Sequence, residues 1–529
     1  MPINQERPNI LVFCTDEQRA DHLSCMGHPV LKTPNIDRIA AEGTLFRNCY
    51  SSSPACMPAR ATMMTGLTNR ASGVRTQGVS LPEDVPTLPG MLADAGYRTH
   101  SVGKLHLKPW GGRDIAEDED ITANPERRIY WKWPGRWEGG HYTEFPDNYY
   151  GFQTLDVVNG HVNYVYGDYV TWLEENHPGA YAGYAYSHSD PKPLTIDPEL
   201  HYNKRIADRT IDSIADANKD DKPFYLWCSF PDPHEPFAAV KKWSDSYEDG
   251  EIELPGITIA LSPKGRSETM KAIGVGTEAH DPEWTKACIR QTYAMMSHVD
   301  EQVGRILDAL DEQGIADTTI VMYISDHGDQ LGEHGLFYKG VYPYDGHAHI
   351  PFLAKVPWAR QKGKVVEDVV SMLDLVPTVL DLADVSQPAD KHEERWRRMA
   401  APIQPALPGE ILTPVITGDA RPVRRNALIE YDHEGYDAFE ELQYRSLVTN
   451  DYKLVFYAPS NETMLFDRKA DPDETTNLAN DPEYQGTVLD LFKQLVCEIS
   501  RTESRLPRWI GCEAVLRKYV ASRSIVDAG

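Results

Sequence analysis

The 529-residue sequence lacks several features that would assign it to a broad class of protein. No apolar run approaches the roughly 20 residues of a membrane-spanning helix. The first residues lack the basic start and long apolar run of a secretory signal. None of the eight cysteines forms a C-x-x-C pair, which argues against a zinc site or redox dithiol of that kind. We therefore predict a cytoplasmic protein with reduced cysteines and no membrane partner.

Basic residues are also scarce in this chain. It contains 53 Lys and Arg against 80 Asp and Glu, so its formal net charge is −27. This balance argues against a broad contact with the phosphate backbone of nucleic acid or with an anionic membrane surface. A small anionic substrate would need a locally positive pocket inside this negative shell.

Short apolar runs alternate with helical patterns along the first part of the chain. Four runs are rich in β-branched and aromatic residues and nearly continuously apolar, which is typical of strands buried on both faces. They lie at 9–14, 99–103, 223–230 and 318–325. Strands alternating with helices predict an α/β architecture, with a large, mostly parallel sheet flanked by helices.

The last part of the chain has a different pattern. Close-spaced strand candidates predict a small antiparallel sheet, followed by a helix at "YQGTVLDLFKQLVCEIS". A polar, proline-rich run joins the two parts, so we place a larger domain at 1–405 and a smaller C-terminal α+β domain and tail at 406–529. Within the larger domain, 110–200 is an insertion dense in Trp, Tyr and Gly, to which we assign no secondary structure.

Polar side chains follow each of the four predicted strands. A single such residue is commonly only a turn or cap residue, but four polar strand ends at one edge of a parallel sheet predict a functional site. The residues are Asp16 and Glu17 after the first strand, Lys104 and His106 after the second, His234 after the third, and Asp326 and His327 after the fourth.

The acidic residues of this set predict a metal site. Asp16, Asp326 and Glu17 offer hard oxygen ligands and His327 adds a nitrogen, which suits one divalent cation, Mn²⁺ or Ca²⁺. The alternative for "SDHGDQLGEHG" is a surface loop whose polar groups are satisfied locally. Crowding of these carboxylates without a cation would be unfavourable, so we expect the site to bind metal.

The stretch "SSSPACMPARATMMTG" places Cys56 just before a predicted helix, with Pro58 suited to its first turn. Backbone N–H groups at such an end favour an anion, and Arg60 can face the same point. The residues leave three interpretations open: a core residue, a thiolate nucleophile or the precursor of a modified residue. A tyrosine-phosphatase loop is excluded, because C-x5-R would need arginine where Thr62 stands.

Together these motifs resemble those of the type I sulfatases, the formylglycine-dependent family of the alkaline phosphatase superfamily. "CMPARATMMTG" is similar to the family signature C-x-P-x-R. The acidic pair, "GKLHL", "PHEP", "SDHGDQLGEHG" and Lys339 occur in the family order. The resemblance covers most of the chain and is weakest across 110–200 and the C-terminal tail. It implies an alkaline-phosphatase-like fold with a smaller C-terminal domain, and hydrolysis of aryl sulfate esters.

The resemblance also implies a cofactor set and residue roles. A maturation enzyme would oxidise Cys56 to formylglycine, whose hydrate attacks sulfur with the help of one divalent cation. The implied metal ligands are Asp16, Glu17, Cys56, Asp326 and His327. The implied catalytic residues are Cys56, Arg60, Lys104, His106, His234 and Lys339, of which Lys104, His234 and Lys339 also bind substrate. Gln77 either lines the site or is a loop residue without a role.

Two positions depart from the common sulfatase pattern. Glu17 replaces a second Asp, and His327 replaces an Asn. The Asp326–His327 pair resembles phosphonate monoester and phosphodiester hydrolases, which favour manganese but generally lack the pair kept here as Lys104 and His106. We therefore expect an arylsulfatase-like enzyme with promiscuous activity toward phosphonate monoesters and phosphodiesters. A hydrolase specialised for those esters is the alternative.

A third hypothesis comes from another class of protein, a non-catalytic metal-binding scaffold in which Cys56 stays a thiol. It would leave Arg60, Lys104 and the histidines without a role. The tail at 505–529 would suit a subunit contact, so we expect a homo-oligomer, dimer or tetramer.

Overall fold

The computed structural model describes residues 7–109, 126, 145–187, 190–219, 222–255, 269, 281–387, 407–422, 424–432 and 443–502. A ten-stranded, mostly parallel sheet forms the centre of the molecule. Its strands are β1 (Asn9–Thr15), β2 (Thr44–Tyr50), β3 (Arg98–Gly103), β4 (Thr154–Asn159), β5 (Tyr166–Gly167), β6 (Phe224–Ser229), β7 (Thr319–Ser325), β8 (His349–Lys355), β9 (Lys364–Val366) and β10 (Val370–Ser371).

The strand order is β10-β2-β8-β7-β1-β6-β3-β4-β5, with β9 paired to β2. The four strands predicted from the sequence are β1, β3, β6 and β7. They lie side by side as β7-β1-β6-β3 and all run parallel. Strand β8 runs antiparallel to both of its neighbours, and β5 runs antiparallel to β4. The predicted large, mostly parallel sheet is confirmed.

Helices cover both faces of this sheet. Alternate residues of β1 enter two separate cores, Leu11 and Phe13 on one face and Ile10 and Val12 on the other, which explains the continuous apolar run. The helices of the larger domain are α1 (Pro34–Glu42), α2 (Cys56–Thr65), α3 (Asn69–Ser72), α4 (Leu88–Asp94), α5 (Asp168–Asn176), α6 (Tyr202–Ala217), α7 (Lys241–Ser244), α8 (Pro282–Glu312), α9 (Asp345–Ala348) and α10 (Leu375–Leu382).

A smaller antiparallel sheet follows, as predicted. After the short helix α11 (Thr413–Thr417) it contains β11 (Asn426–Asp432), β12 (Gln443–Thr449), β13 (Tyr452–Tyr457) and β14 (Glu462–Asp467), in that order. One face packs against the larger domain through Tyr50 and Tyr344. Helix α12 (Gln485–Thr502) covers the other face with Leu491 and Phe492. The predicted boundary at 405/406 lies outside the described residues.

Two other predicted segments are described only in part or not at all. The insertion at 110–200 contributes β4, β5 and α5, but its stretches 110–125 and 127–144 lie outside the described residues. So does the tail at 505–529. Across the described ranges, no helix combines the length and apolar composition needed to cross a bilayer.

Candidate active site

The polar residues that follow the four central strands meet at one edge of the large sheet. Because β7, β1, β6 and β3 are parallel neighbours, their carboxyl ends lie together. None of the seven residues is more than 5 % exposed. They are Asp16, Glu17, Lys104, His106, His234, Asp326 and His327. The structure thus brings together side chains that are far apart in the sequence.

Asp16, Cys56, Asp326 and His327 form a buried group of potential metal ligands. One ligand atom of each lies within 4.8 Å of those of the others. His327 Nε2 is 3.2 Å from Cys56 Sγ and 3.7 Å from Asp16 Oδ1. His327 Nδ1 lies 2.9 Å from the carbonyl oxygen of Gly328. In the neutral ring, Nδ1–H donates a hydrogen bond to that carbonyl oxygen, which leaves the Nε2 lone pair for a cation.

The electrostatics of this group fit a divalent cation. Burial and the Asp16 carboxylate raise the pKa of Asp326. Burial lowers the pKa of His327, but Asp326 and Cys56 raise it to about 9. The pocket therefore favours positive charge, and a bound cation would relieve the repulsion between the two carboxylates. Oxygen donors together with one imidazole form a donor set that a divalent cation can bind.

Cys56 is the first residue of α2, which confirms the helix predicted from "CMPARATMMTG". Its side chain is only 1 % exposed. Burial and Asp16 raise the pKa of the Cys56 thiol, but Lys104, Lys339 and His327 hold that pKa well below its ordinary value. The N-terminus of α2 and its cationic neighbours therefore favour an anion at this position.

Arg60 fixes α2 against three strand ends. Its Nε donates to Asp326 Oδ2 at 2.8 Å. A terminal guanidinium nitrogen donates to the Lys104 carbonyl oxygen and to Ser229 Oγ, both at 3.1 Å. Because Arg60 lies one helical turn after Cys56, these contacts hold the start of the helix in place.

Lys104 and His106 reach the same group from the loop after β3. Lys104 Nζ donates to Asp16 Oδ2. Burial lowers the pKa of His106 to about 3, although a hydrogen bond with Cys56 raises it. His106 is therefore a neutral imidazole near neutral pH. Both residues occupy the place that the sequence predicted for them.

His161 belongs to this site and was missed in the sequence. Its Nε2 lies 2.7 Å from Lys104 Nζ and 3.2 Å from Asp16 Oδ2, and its ring stacks on His234 with centroids 3.4 Å apart. His161 follows β4 as Asp16 follows β1, so it is a fifth polar strand end. The signal was "TLDVVNGH", within the insertion where no strand was predicted.

A second part of the site lies around Glu17. Glu17 Oε2 is 2.8 Å from both Lys339 Nζ and His234 Nε2, and these two nitrogens are 2.6 Å apart. Burial raises the pKa of Glu17, but His234 and Lys339 lower it to about 2. His234 Nδ1 faces the carbonyl oxygen of Glu235 at 2.7 Å. The result is a cationic pair, buried at His234 and partly exposed at Lys339, that is held by a carboxylate ionised at neutral pH.

The structure leaves the roles of two predicted site residues, Glu17 and Gln77, as predictions. Glu17 lies outside the four-residue ligand group, but its Oε1 has no hydrogen-bond partner among the described residues, so its role as a ligand stays a prediction. Gln77 Oε1 accepts a hydrogen bond from the Met57 N–H at 2.9 Å. Gln77 therefore holds the first turn of α2, and its contact with substrate stays a prediction.

Comparison with known proteins identifies the family. Residues 8–385 match the sequence model of the family described as Sulfatase. This chain belongs to the sulfatase family. Residues 332–501 match a second description, N-sulphoglucosamine sulphohydrolase, C-terminal. The protein is therefore a hydrolase of the alkaline phosphatase superfamily, as the motifs predicted.

Similar proteins lie on both branches that the sequence suggested. An arylsulfatase of Clostridium perfringens is 28 % identical over 506 residues, covering 94 % of this sulfatase and 95 % of that protein. The multifunctional alkaline phosphatase superfamily protein PehA of Trinickia caryophylli is 26 % identical over 540 residues, covering 95 % and 97 %. The crystal structure of the phosphonate monoester hydrolase of Agrobacterium radiobacter has a TM-score of 0.74 at 22 % identity, covering 94 % and 96 %. The last comparison confirms the predicted fold.

Proposed function

We propose that this sulfatase hydrolyses aryl sulfate monoesters with a formylglycine derived from Cys56 and one divalent cation. The supporting observation is the placement of Cys56 at the start of α2, buried within 4.8 Å of ligand atoms of Asp16, Asp326 and His327. A cysteine needed only for packing would have no reason to face two carboxylates and an imidazole.

Asp16, Asp326 and His327 would hold the cation, with Glu17 as a further ligand through its Oε1, which has no hydrogen-bond partner among the described residues. The nitrogen donor favours Mn²⁺ over Ca²⁺, because Ca²⁺ takes oxygen ligands. When bound, the cation and the formylglycine supply a Lewis acid and an activated hydroxyl nucleophile.

The cationic residues of the chain perform the binding steps. Arg60 keeps α2 and the nucleophile position aligned through its bond to Asp326. Lys104 and neutral His106 face Cys56 from the loop after β3 and would orient the sulfate oxygens. Because Arg60 and Lys104 are buried, their charges act in a low effective dielectric and would stabilise charge that develops on the sulfuryl group.

His234 and Lys339 would act at the leaving oxygen. Their nitrogens lie 2.6 Å apart and share the Glu17 carboxylate, so a proton can be held between them. Donation of that proton would neutralise the alkoxide or phenoxide as the ester bond breaks. Glu17 stays ionised throughout, because its pKa of about 2 lies far below neutral pH.

Maturation of Cys56 requires access to a buried thiol. The side chain is 1 % exposed in the folded chain, so an oxidising maturation enzyme would have to act before α2 packs.

We also propose that the protein is cytoplasmic and forms a homo-oligomer.

Phosphonate monoesters and phosphodiesters are a second substrate class. The observation that favours them is His327, a member of the ligand group whose imidazole lies 3.2 Å from Cys56 Sγ. An imidazole ligand in place of an amide changes the charge and geometry of the metal site, and with it the preferred transferred group.

The test is kcat/KM for 4-nitrophenyl sulfate and 4-nitrophenyl phenylphosphonate on one Mn²⁺-loaded preparation whose formylglycine content is verified by mass spectrometry. The leaving group is the same, so the ratio reports discrimination of the transferred group. We expect the ratio to favour sulfate. A ratio favouring phosphonate would overturn the proposal and make the second class primary.

His327→Asn sharpens this test. We expect it to reduce phosphonate turnover more than sulfate turnover. His349→Asn, the same change in a histidine that contacts the Arg47 carbonyl oxygen outside the ligand group, should leave the ratio unchanged. Equal losses on both substrates in His327→Asn would remove the role of His327 in selecting the substrate.

A further inference from the structure

The loop after β3 has a backbone that needs external support. Gly103 has φ +100, and a Cβ at this position would lie 1.8 Å from the Ser229 carbonyl oxygen, so only glycine fits. His106 has φ +56, a left-handed conformation that is unfavourable for a residue with a side chain. Such a backbone persists only where its surroundings fix it.

Two buried side chains provide this support. Asn159 Oδ1 accepts a hydrogen bond from the Leu105 N–H at 3.0 Å. Glu126 Oε1 accepts from the N–H groups of Leu107 and Lys108 at 2.9 and 3.1 Å. The backbone is therefore held on both sides of the strained residue between Leu105 and Leu107.

The two supporting residues are also bonded to each other. Asn159 Nδ2 donates to Glu126 Oε2 at 3.1 Å, and Tyr149 OH donates to Glu126 Oε1 at 2.9 Å. Both Glu126 and Asn159 are 0 % exposed. The pairing is complementary, because the Asn159 amide oxygen accepts a hydrogen bond from the loop and its amide nitrogen donates one to the Glu126 carboxylate. A buried group that lost its partner here would be strongly unfavourable.

We propose that Glu126 and Asn159 are positioning residues, which hold the loop so that Lys104 and His106 face Cys56. The proposal rests on the function proposed above, in which those two loop residues bind the sulfate group. The hydrogen bonds of Glu126 and Asn159 described above reach the loop backbone, Tyr149 and each other. They act through the backbone, and a shift of the loop by a fraction of an ångström would misplace both catalytic side chains.

Exchange of the two functional groups tests this pair. Glu126→Gln turns an amide nitrogen toward the amide of Asn159, and Asn159→Asp turns a carboxylate toward that of Glu126. The double variant Glu126→Gln/Asn159→Asp restores one carboxylate and one amide in reversed positions. We expect each single variant to lower kcat for the better substrate by about 10- to 100-fold, and the double variant to recover most of that loss.

Backbone hydrogen exchange of the loop provides a readout that does not depend on turnover. The N–H groups of Leu105, Leu107 and Lys108 should exchange faster in each single variant by about tenfold or more. They should return toward the wild-type rate in the double variant. This measurement decides the proposal even if wild-type protein turns over neither ester, an outcome that would refute only the proposed function.

Asp300→Asn is the matched control. Asp300 is also a buried carboxylate that accepts N–H bonds, from Asn35 and Ile36 at the start of α1, but it lies outside the active site. It should lower thermal stability and leave kcat and exchange of the 104–108 loop unchanged. Unchanged loop exchange in Glu126→Gln, or no recovery in the double variant, would overturn the proposal.

Discussion

The two sides of this active site are built in different ways. The cysteine side (Asp16, Cys56, Arg60, Asp326 and His327) is carried by the ends of β1 and β7 and by the first turns of α2. The loop side (Lys104, His106 and His161) is carried by irregular backbone after β3 and β4. Helix and strand geometry fixes the cysteine side directly, whereas the loop side depends on hydrogen bonds from other segments. We therefore expect mutations on the cysteine side to abolish turnover, and mutations on the loop side to lower the rate only partly.

The largest effect should come from Cys56→Ala. If Cys56 is the precursor of the nucleophile, its removal should lower kcat for 4-nitrophenyl sulfate by at least ~10³-fold. Cys56→Ser should lower kcat by as much, because a serine with one hydroxyl cannot replace the hydrated aldehyde. The measurement is turnover beside mass spectrometry of the peptide that contains residue 56.

Cys14→Ala is the control for that experiment. Cys14 is another fully buried thiol, in β1 near the same strand ends, but it is not one of the ligand group. It should keep most of its activity. Near-wild-type turnover in Cys56→Ala, or an unmodified Cys56 in active protein from the native host, would contradict the proposed chemistry.

An intermediate effect is expected on the loop side, from His161. Its Nε2 lies 2.7 Å from Lys104 Nζ, so loss of the imidazole should let the Lys104 ammonium reorient. His161→Ala should lower kcat/KM by roughly tenfold. His161→Phe keeps a ring to stack on His234 but has no nitrogen, and it should be equally impaired. Wild-type activity in His161→Phe would reduce the role of His161 to packing.

The cysteine side could be predicted from the sequence because its signals are local. A strand buried on both faces can be recognised in the sequence as a continuous apolar run. The residue after it lies at the carboxyl edge of the parallel sheet, where ligands bind. Asp16 and Asp326 follow from that rule alone. Cys56 and Arg60 are four residues apart in a predicted helix, and this spacing places them next to each other on its surface.

The loop side could not be predicted in the same way. β4 was missed because its run "TLDVVN" is short and begins with the exposed Thr154, so His161 had no strand to mark it. Glu126 carries no local signal, because it holds the loop through backbone N–H groups of Leu107 and Lys108, which no side-chain pattern specifies.

The smallest effect, and one confined to stability, should come from Asp300, away from both sides of the site. Burial raises the pKa of Asp300 from its ordinary value of 3.8 to about 6, although N–H bonds from Asn35 and Ile36 lower it. Between these values the folded chain keeps a proton that the unfolded chain has lost. The contribution of this group to the free energy of unfolding should therefore fall as pH rises from about 4 to about 6, and stay constant above that.

Asp300→Asn cannot titrate at this position. Its free energy of unfolding should be about 1–3 kcal/mol lower than that of the wild-type protein near pH 4, with a smaller deficit above pH 6. Urea unfolding of both proteins across this range measures the difference. A deficit that grows with pH would mean that Asp300 is ionised in the folded protein throughout.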